Sequence, residues 1–147
     1  MDNIDQNTTS EKSTVKVAGN SCYELRYDGI TNRIYLKIIG FWKNLEAVPE
    51  YLEDLGKALA LVKPNFTVLT DLQKMITHPQ ELNSLHEKAH RLVSEAGALH
   101  VAHVVPEDKI ANLQTNSILD ASGLKVKNFT STQEADKWLN QIAASTN

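Results

Sequence analysis

Chemistry-bearing side chains crowd the middle of this sequence. His86-Glu87-Lys88-Ala89-His90 is a literal His-Glu-x-x-His string, all five histidines fall between His78 and His103, and an apolar run, Phe66-Thr-Val-Leu-Thr, ends on Asp71. On a helix, a spacing of four puts His86 and His90 on one face, where two imidazoles can ligate zinc while Glu87 acts as general base. A catalytic zinc needs a third protein ligand. The continuation Arg91 to Gly97 lacks the Gly-x-x-His of one zincin class, and no glutamate of a second helix is placed for the other. His86 and His90 are therefore read as imidazoles at the border of an apolar helix face, weak metal candidates only, and no cofactor is expected. His100 and His103 have odd spacing within one strand and point to opposite faces, so the five histidines cannot converge on one ion.

Asp71 carries a different chemistry. A buried strand that ends on an acidic residue places it at the carboxyl rim of the sheet, where sites of open α/β folds gather. The candidate contact surface is Asp71, Leu72, Gln73, Lys74, Met75, Ile76 and His78, with the apolar pair Met75-Ile76 set among Lys74, Thr77 and His78. The competing reading tucks Met75 and Ile76 under the next helix as a staple before Pro79. A response-regulator receiver also has an acidic strand end, but it needs an acidic pair and a helix after its first strand, where this chain makes a hairpin. Trp42, next to Phe41 and Gly40, is either an exposed recognition aromatic or part of the core. Cys22, with no local Cys or His partner, reads as a small hydrophobe.

The elements that must position these residues follow from periodicity. Tyr23 to Tyr27 and Arg33 to Ile39 alternate with period two around Asp28-Gly29, an antiparallel hairpin. Val15-Lys16-Val17 is a short extension that Ala18-Gly19-Asn20 would interrupt. Val48, Leu52, Leu55, Ala58 and Leu59 recur at helical spacing, with Asn44 to Val48 as an irregular lead-in and Pro49 in the first turn. The central strand Phe66 to Asp71 comes next. A second helix enters through Thr77-His78-Pro79-Gln80, carries Leu82, Leu85, Ala89, Leu92 and Val93, and stops at Gly97; His100 to Val105 is the following strand, so this β-α-β unit pairs its strands in parallel. A third helix spans about Asp108 to Ala121, and Leu124 to Phe129 gives an edge strand. Ser131-Thr132-Gln133-Glu134 is a capping box for a last helix buried through Ala135, Trp138, Leu139 and Ile142.

At 147 residues the chain fits one domain, residues 15–147, behind a flexible polar tail, residues 1–14. With one cysteine, no apolar leader and no run near the roughly 18 residues of a membrane span, a soluble cytoplasmic protein is expected. Net charge is −3 with mixed signs, and no basic stripe suggests a nucleic-acid partner.

The order β-β-α-β-α-β-α-β-α, closing on Phe129-x-Ser131-x-x-Glu134-Ala135-x-x-Trp138-Leu139, resembles the STAS family of anti-sigma-factor-antagonist-like domains, above all its stand-alone bacterial members, over roughly Tyr23 to Ile142. The resemblance implies an α/β fold, a mixed five-stranded sheet with packed helices, and a non-enzymatic role in protein interaction or ligand sensing. It also implies a functional rim after the third strand. Antagonists of the family carry Asp-x-Ser-Gly there, with a phosphorylated serine. The matching stretch is Asp71-Leu72-Gln73-Lys74, where Gln73 replaces the phosphoacceptor. Asp120-Ala121-Ser122-Gly123 looks like the motif but falls at a helix end, where it reads as an ordinary cap. Expected partners are a protein, a small apolar ligand or a second copy of the chain. The alternatives are a small-molecule or lipid-binding module of CRAL-TRIO-like fold and, with least support, a zinc hydrolase through His86, Glu87 and His90.

Overall fold

Alternation of large apolar and polar residues drives the first half of the chain into strands. The computed structural model describes residues 14–76, 82–105 and 126–146. In it, β2 (Tyr23–Asp28) and β3 (Arg33–Gly40) form the expected hairpin, with Tyr23 opposite Ile38 and Asp28 opposite Arg33. Its turn is held by side chains. Asp28 Oδ1 accepts from the Ile30 amide at 2.9 Å, and Asn32 takes a left-handed φ of 56°, which asparagine tolerates better than most residues. The Asn32 amide oxygen accepts from the Tyr27 hydroxyl (2.8 Å) and the Lys63 amide (3.0 Å), and its nitrogen donates to the Lys63 carbonyl (2.9 Å). One asparagine thus ties the hairpin turn to the loop that leads into the central strand.

Among the described residues the sheet has six strands, where five were expected. β1 (Thr14–Gly19) pairs antiparallel with β2 along its length, and the interruption foreseen at Ala18-Gly19 is absorbed by a bulge that leaves Val17 as the extra residue between Lys16 and Ala18. A 3₁₀ turn, Leu45–Ala47, is capped by Asn44 Oδ1 on the Ala47 amide and leads to α1 (Tyr51–Leu59). β4 (Thr67–Met75), α2 (Asn83–Glu95), β5 (His100–Val104), β6 (Val126–Phe129) and α3 (Thr132–Thr146) follow. Strand order is sequential, β1 to β6, with β3 through β6 parallel to one another. The third-helix expectation, the Ser122-Gly123 cap and the Thr77 to Gln80 entry lie outside the described residues.

Alternate residues of β4 and β5 face opposite layers, which is why their sequences read as continuous apolar runs. Val68 and Val101 join Tyr51, Leu55, Ala58, Leu85, Ala89 and Val93 in a core beneath α1 and α2. Leu69, Ala102 and Val104 join Ala135 and Leu139 beneath α3 on the other face. Gly97, at φ 98°, ends α2 in a Schellman arrangement, with the Ala98 amide on the Val93 carbonyl and the Gly97 amide on that of Ser94. Ser131 Oγ accepts from the Glu134 amide at 3.1 Å, the expected cap of α3.

The second face is fixed by a buried cation. Arg33, 1% exposed, donates through Nε to Thr67 Oγ1 (2.8 Å), through Nη1 to Asp136 Oδ1 (2.6 Å) and through Nη2 to Asn140 Oδ1 (2.9 Å). The Tyr35 hydroxyl donates to the same Asp136 oxygen at 2.9 Å. Trp138 is only half-buried, against expectation. It lies at the edge of α3 against His100 and Phe129, with Lys127 Nζ 5.6 Å from its ring centre.

Candidate functional site

β4 does not stop at Asp71. It runs on to Met75, and its pairing with β3 slips there: Lys37 is opposite Asp71, but Ile39 is opposite Lys74. One residue of β3, Ile38, therefore faces two of β4, Leu72 and Gln73. A bulge of this kind takes a backbone amide out of the ladder and reverses which side chains point inward. Asp71 Oδ1 accepts from the Gln73 amide at 3.0 Å, so the half-buried carboxylate satisfies a group that the bulge displaces.

The bulge sorts the sequence candidates. Leu72 (2% exposed) and Met75 (4%) point into the core, which corrects their assignment to an exposed contact surface. Gln73 and Lys74 are exposed, and Ile76 is 54% exposed, its amide donating to the Gly40 carbonyl at 3.0 Å. His78 lies outside the described residues. Thr70, a potential phosphate acceptor by type, is buried, and Gln73 has no hydroxyl.

Sequence reasoning missed a second contributor. Because β3 and β4 are parallel, their carboxyl ends share one rim, and the turn after Gly40 (φ 69°) presents Phe41, 50% exposed, followed by the exposed Lys43 and Leu45. The signal was available in Phe41-Trp42: of two adjacent aromatics at a strand end, one faces in and the other out. Trp42 is the inward one. Fully buried, it donates from Nε1 to the Cys22 carbonyl at 2.9 Å and packs on the edge-on Tyr51 ring at 5.0 Å and the tilted Tyr23 ring at 6.0 Å. The Tyr23 hydroxyl donates to the buried Asp54 at 2.6 Å; burial, then that bond, pushes its pKa up.

The His-Glu-x-x-His string divides between two environments. His86 is buried and stacks on Trp42, ring centres 5.2 Å apart and planes 23° from parallel, which corrects its reading as a border residue. His90 is half-buried and meets His103 of β5 edge to face at 5.8 Å. These two rings line a cavity of about 30 Å³ between α1, α2 and the sheet, together with Tyr51, Thr70 and aliphatic side chains including Val68 and Val101. His90 Nδ1 and both ring nitrogens of His103 are enclosed and have no hydrogen-bond partner within the protein. Burial lowers the His90 pKa to about 4 and holds that of His103 well below the usual value, with the neighbouring His90 and His86 adding to the effect. Both imidazoles are neutral at pH 7. His100 sits on the opposite face of β5 against Trp138, as its odd spacing from His103 requires. Among the described residues no three metal-ligating side chains converge. At its size the cavity is a tenth or less of the roughly 300–1,000 Å³ of a ligand pocket.

No family model matches the chain, and no curated protein matches it. A solved structure does. It is an uncharacterized protein from the DUF3478 family with a SpoIIAA-like fold, from Shewanella loihica PV-4; it is 17% identical, with a TM-score of 0.57, and the match covers 83% of this chain and 97% of that one. The STAS-related architecture expected from the element order is therefore the fold of this chain. At this identity the fold is what the two share. Among the described residues no helix is long and apolar enough to cross a membrane.

Proposed function

We propose that this chain is a non-enzymatic protein-interaction module whose contact surface is the shared carboxyl rim of β3 and β4. The observation that carries the reading is the exposure of large apolar side chains there: Phe41 and Ile76 stand half in solvent beside the exposed cations Lys43 and Lys74. Large apolar groups grouped at a strand-end rim and edged by charge are typical of contact surfaces rather than of inert ones. The partner that suits them offers apolar anchors flanked by carboxylates. Contact does not depend on phosphate at the STAS position, because Gln73 has no hydroxyl to accept it.

The test is an Ile76→Asp/Lys74→Glu variant, which leaves the buried Leu72 and Met75 untouched. It is expected to keep the wild-type urea midpoint and circular dichroism and to lose the proteins that wild type retains from lysate of its native cell. Retention of every partner by that folded variant would refute the reading.

A further inference from the structure

We propose that the cavity between α2 and β5 is a water-binding site, occupied by one or two molecules that bridge His90 and His103 and fasten α2 to the sheet. Three observations converge. The volume, about 30 Å³, is roughly two to three times the 10–15 Å³ that a single water needs. Three ring nitrogens, His90 Nδ1 and both of His103, are enclosed with no protein partner. Both histidines line the cavity, one from the helix and one from the strand, with their ring centres 5.8 Å apart.

The chemistry of the walls selects the ligand. Each neutral imidazole offers one N–H donor and one acceptor nitrogen, so the occupant must both donate and accept, as water does. An anion finds no positive charge, since burial keeps both rings neutral. A metal cation finds no carboxylate or thiolate among the lining residues to compensate its charge. An apolar guest fits the aliphatic walls formed by Ile34, Leu36, Val68 and Val101 but leaves the ring nitrogens unpaired. Buried polar groups without protein partners are where internal waters reside, typically with about three hydrogen bonds each. A water bonded to both rings also links α2 to β5 through polar contacts.

The experiment is oxygen-17 magnetic relaxation dispersion on the full chain, which counts internal waters that stay bound for longer than nanoseconds. Wild type is compared with His103→Leu and, separately, His90→Leu, each checked for wild-type circular dichroism. Each folded variant is expected to lose the dispersion amplitude of at least one water. An unchanged amplitude in a folded variant overturns the proposal. Wild type alone provides the second readout, which stands if neither variant folds. Cross-relaxation between water and the ring protons of His90 and His103 is expected. Its absence, or saturable xenon shifts at the Val68 and Val101 methyls, would show a dry cavity and overturn the assignment.

Discussion

Asp136→Ala is the sharpest probe of how α3 is held. Arg33 is 1% exposed and has three side-chain acceptors, two of them on α3, so the substitution removes its only ionised partner among the described ion pairs and leaves a guanidinium in the sheet–helix interface. Breaking a buried pair from one side typically costs about 3–5 kcal/mol, because the remaining charge is uncompensated. Asp136 retains some solvent contact and Thr67 and Asn140 remain, which places the expected loss at the lower end, about 3 kcal/mol. With a urea m-value of about 2 kcal/mol/M, the midpoint falls by about 1.5 M. A second readout is independent of stability. The Tyr35 phenol is pushed up to about 12, first by burial and then by the Asp136 charge, against a lowering from Arg33. In the variant its spectrophotometric titration moves below that value. Replacing both charges, Arg33→Met with Asp136→Leu, should cost less than Asp136→Ala alone, since no ion is left unpaired. A midpoint within about 0.3 M of wild type for Asp136→Ala, or a double variant weaker than the single one, would show that the network does not anchor α3.

Other consequences follow from the same geometry. Because the folded pKa of His90 is depressed to about 4, unfolded chain binds more protons than folded chain between that value and 6.5; stability is level above pH 6.5 and falls as pH drops through this window, by at most about 3 kcal/mol from His90, less because part of its ring reaches solvent. His103, lowered in the same direction and facing His90, His86, Tyr51 and Thr70, adds to the slope, so urea midpoints at pH 7 and pH 5 should converge in a His90→Leu/His103→Leu variant relative to wild type. A variant with the wild-type slope would show that carboxylates alone set it. Trp42→Ala should cost about 3–5 kcal/mol and Trp138→Ala about 1–2, a ranking set by full against partial burial; equal urea shifts would contradict it. Asp71→Asn keeps an oxygen for the Gln73 amide and should change stability by under about 0.5 kcal/mol, whereas Asp71→Ala loses about 1 kcal/mol; a large loss of stability in Asp71→Asn would mean that the charge matters and not the bond.

Local pattern carried most of the architecture. Period-two alternation in Tyr23 to Tyr27 and Arg33 to Ile39 defined the hairpin, and the β-branched run from Phe66 marked the strand that both layers cover. The Gly97 and Ser131 caps ended and began their helices where glycine and a capping box belong. What the pattern did not show was how far β1 and β4 extend. Both strands contain a bulge, at Val17 and at Leu72-Gln73, and one extra residue breaks the alternation by which a strand is recognised. Ala18-Gly19 therefore looked like an interruption and Asp71 like a terminus. Trp138 shows a different limit: its helical phase with Ala135 and Leu139 was right, but it lies at the margin of a narrow four-residue edge strand that cannot cover the whole ring.

The same bulge decides what the rim can do. Without it, the alternation set by Val68 and Thr70 would continue unbroken through Leu72, and every later residue of β4 would face the opposite layer. With it, Leu72 and Met75 are both buried while Gln73, Lys74 and Ile76 are exposed, so a single displaced amide, held by Asp71, converts the strand end into a presented surface. An acidic residue at this position is thus accounted for by backbone geometry, with no chemistry required of its charge. The histidines argue in the same direction. Their spacing matches a zinc string in form while lacking a third ligand, and folding sends His86 to Trp42, His90 and His103 to a cavity, and His100 to the far face. Three of the four described imidazoles serve the interior beneath α2. Among the described residues the rim carries the cations Lys43 and Lys74 and the apolar side chains Phe41, Leu45 and Ile76, the set on which the proposed contact surface rests.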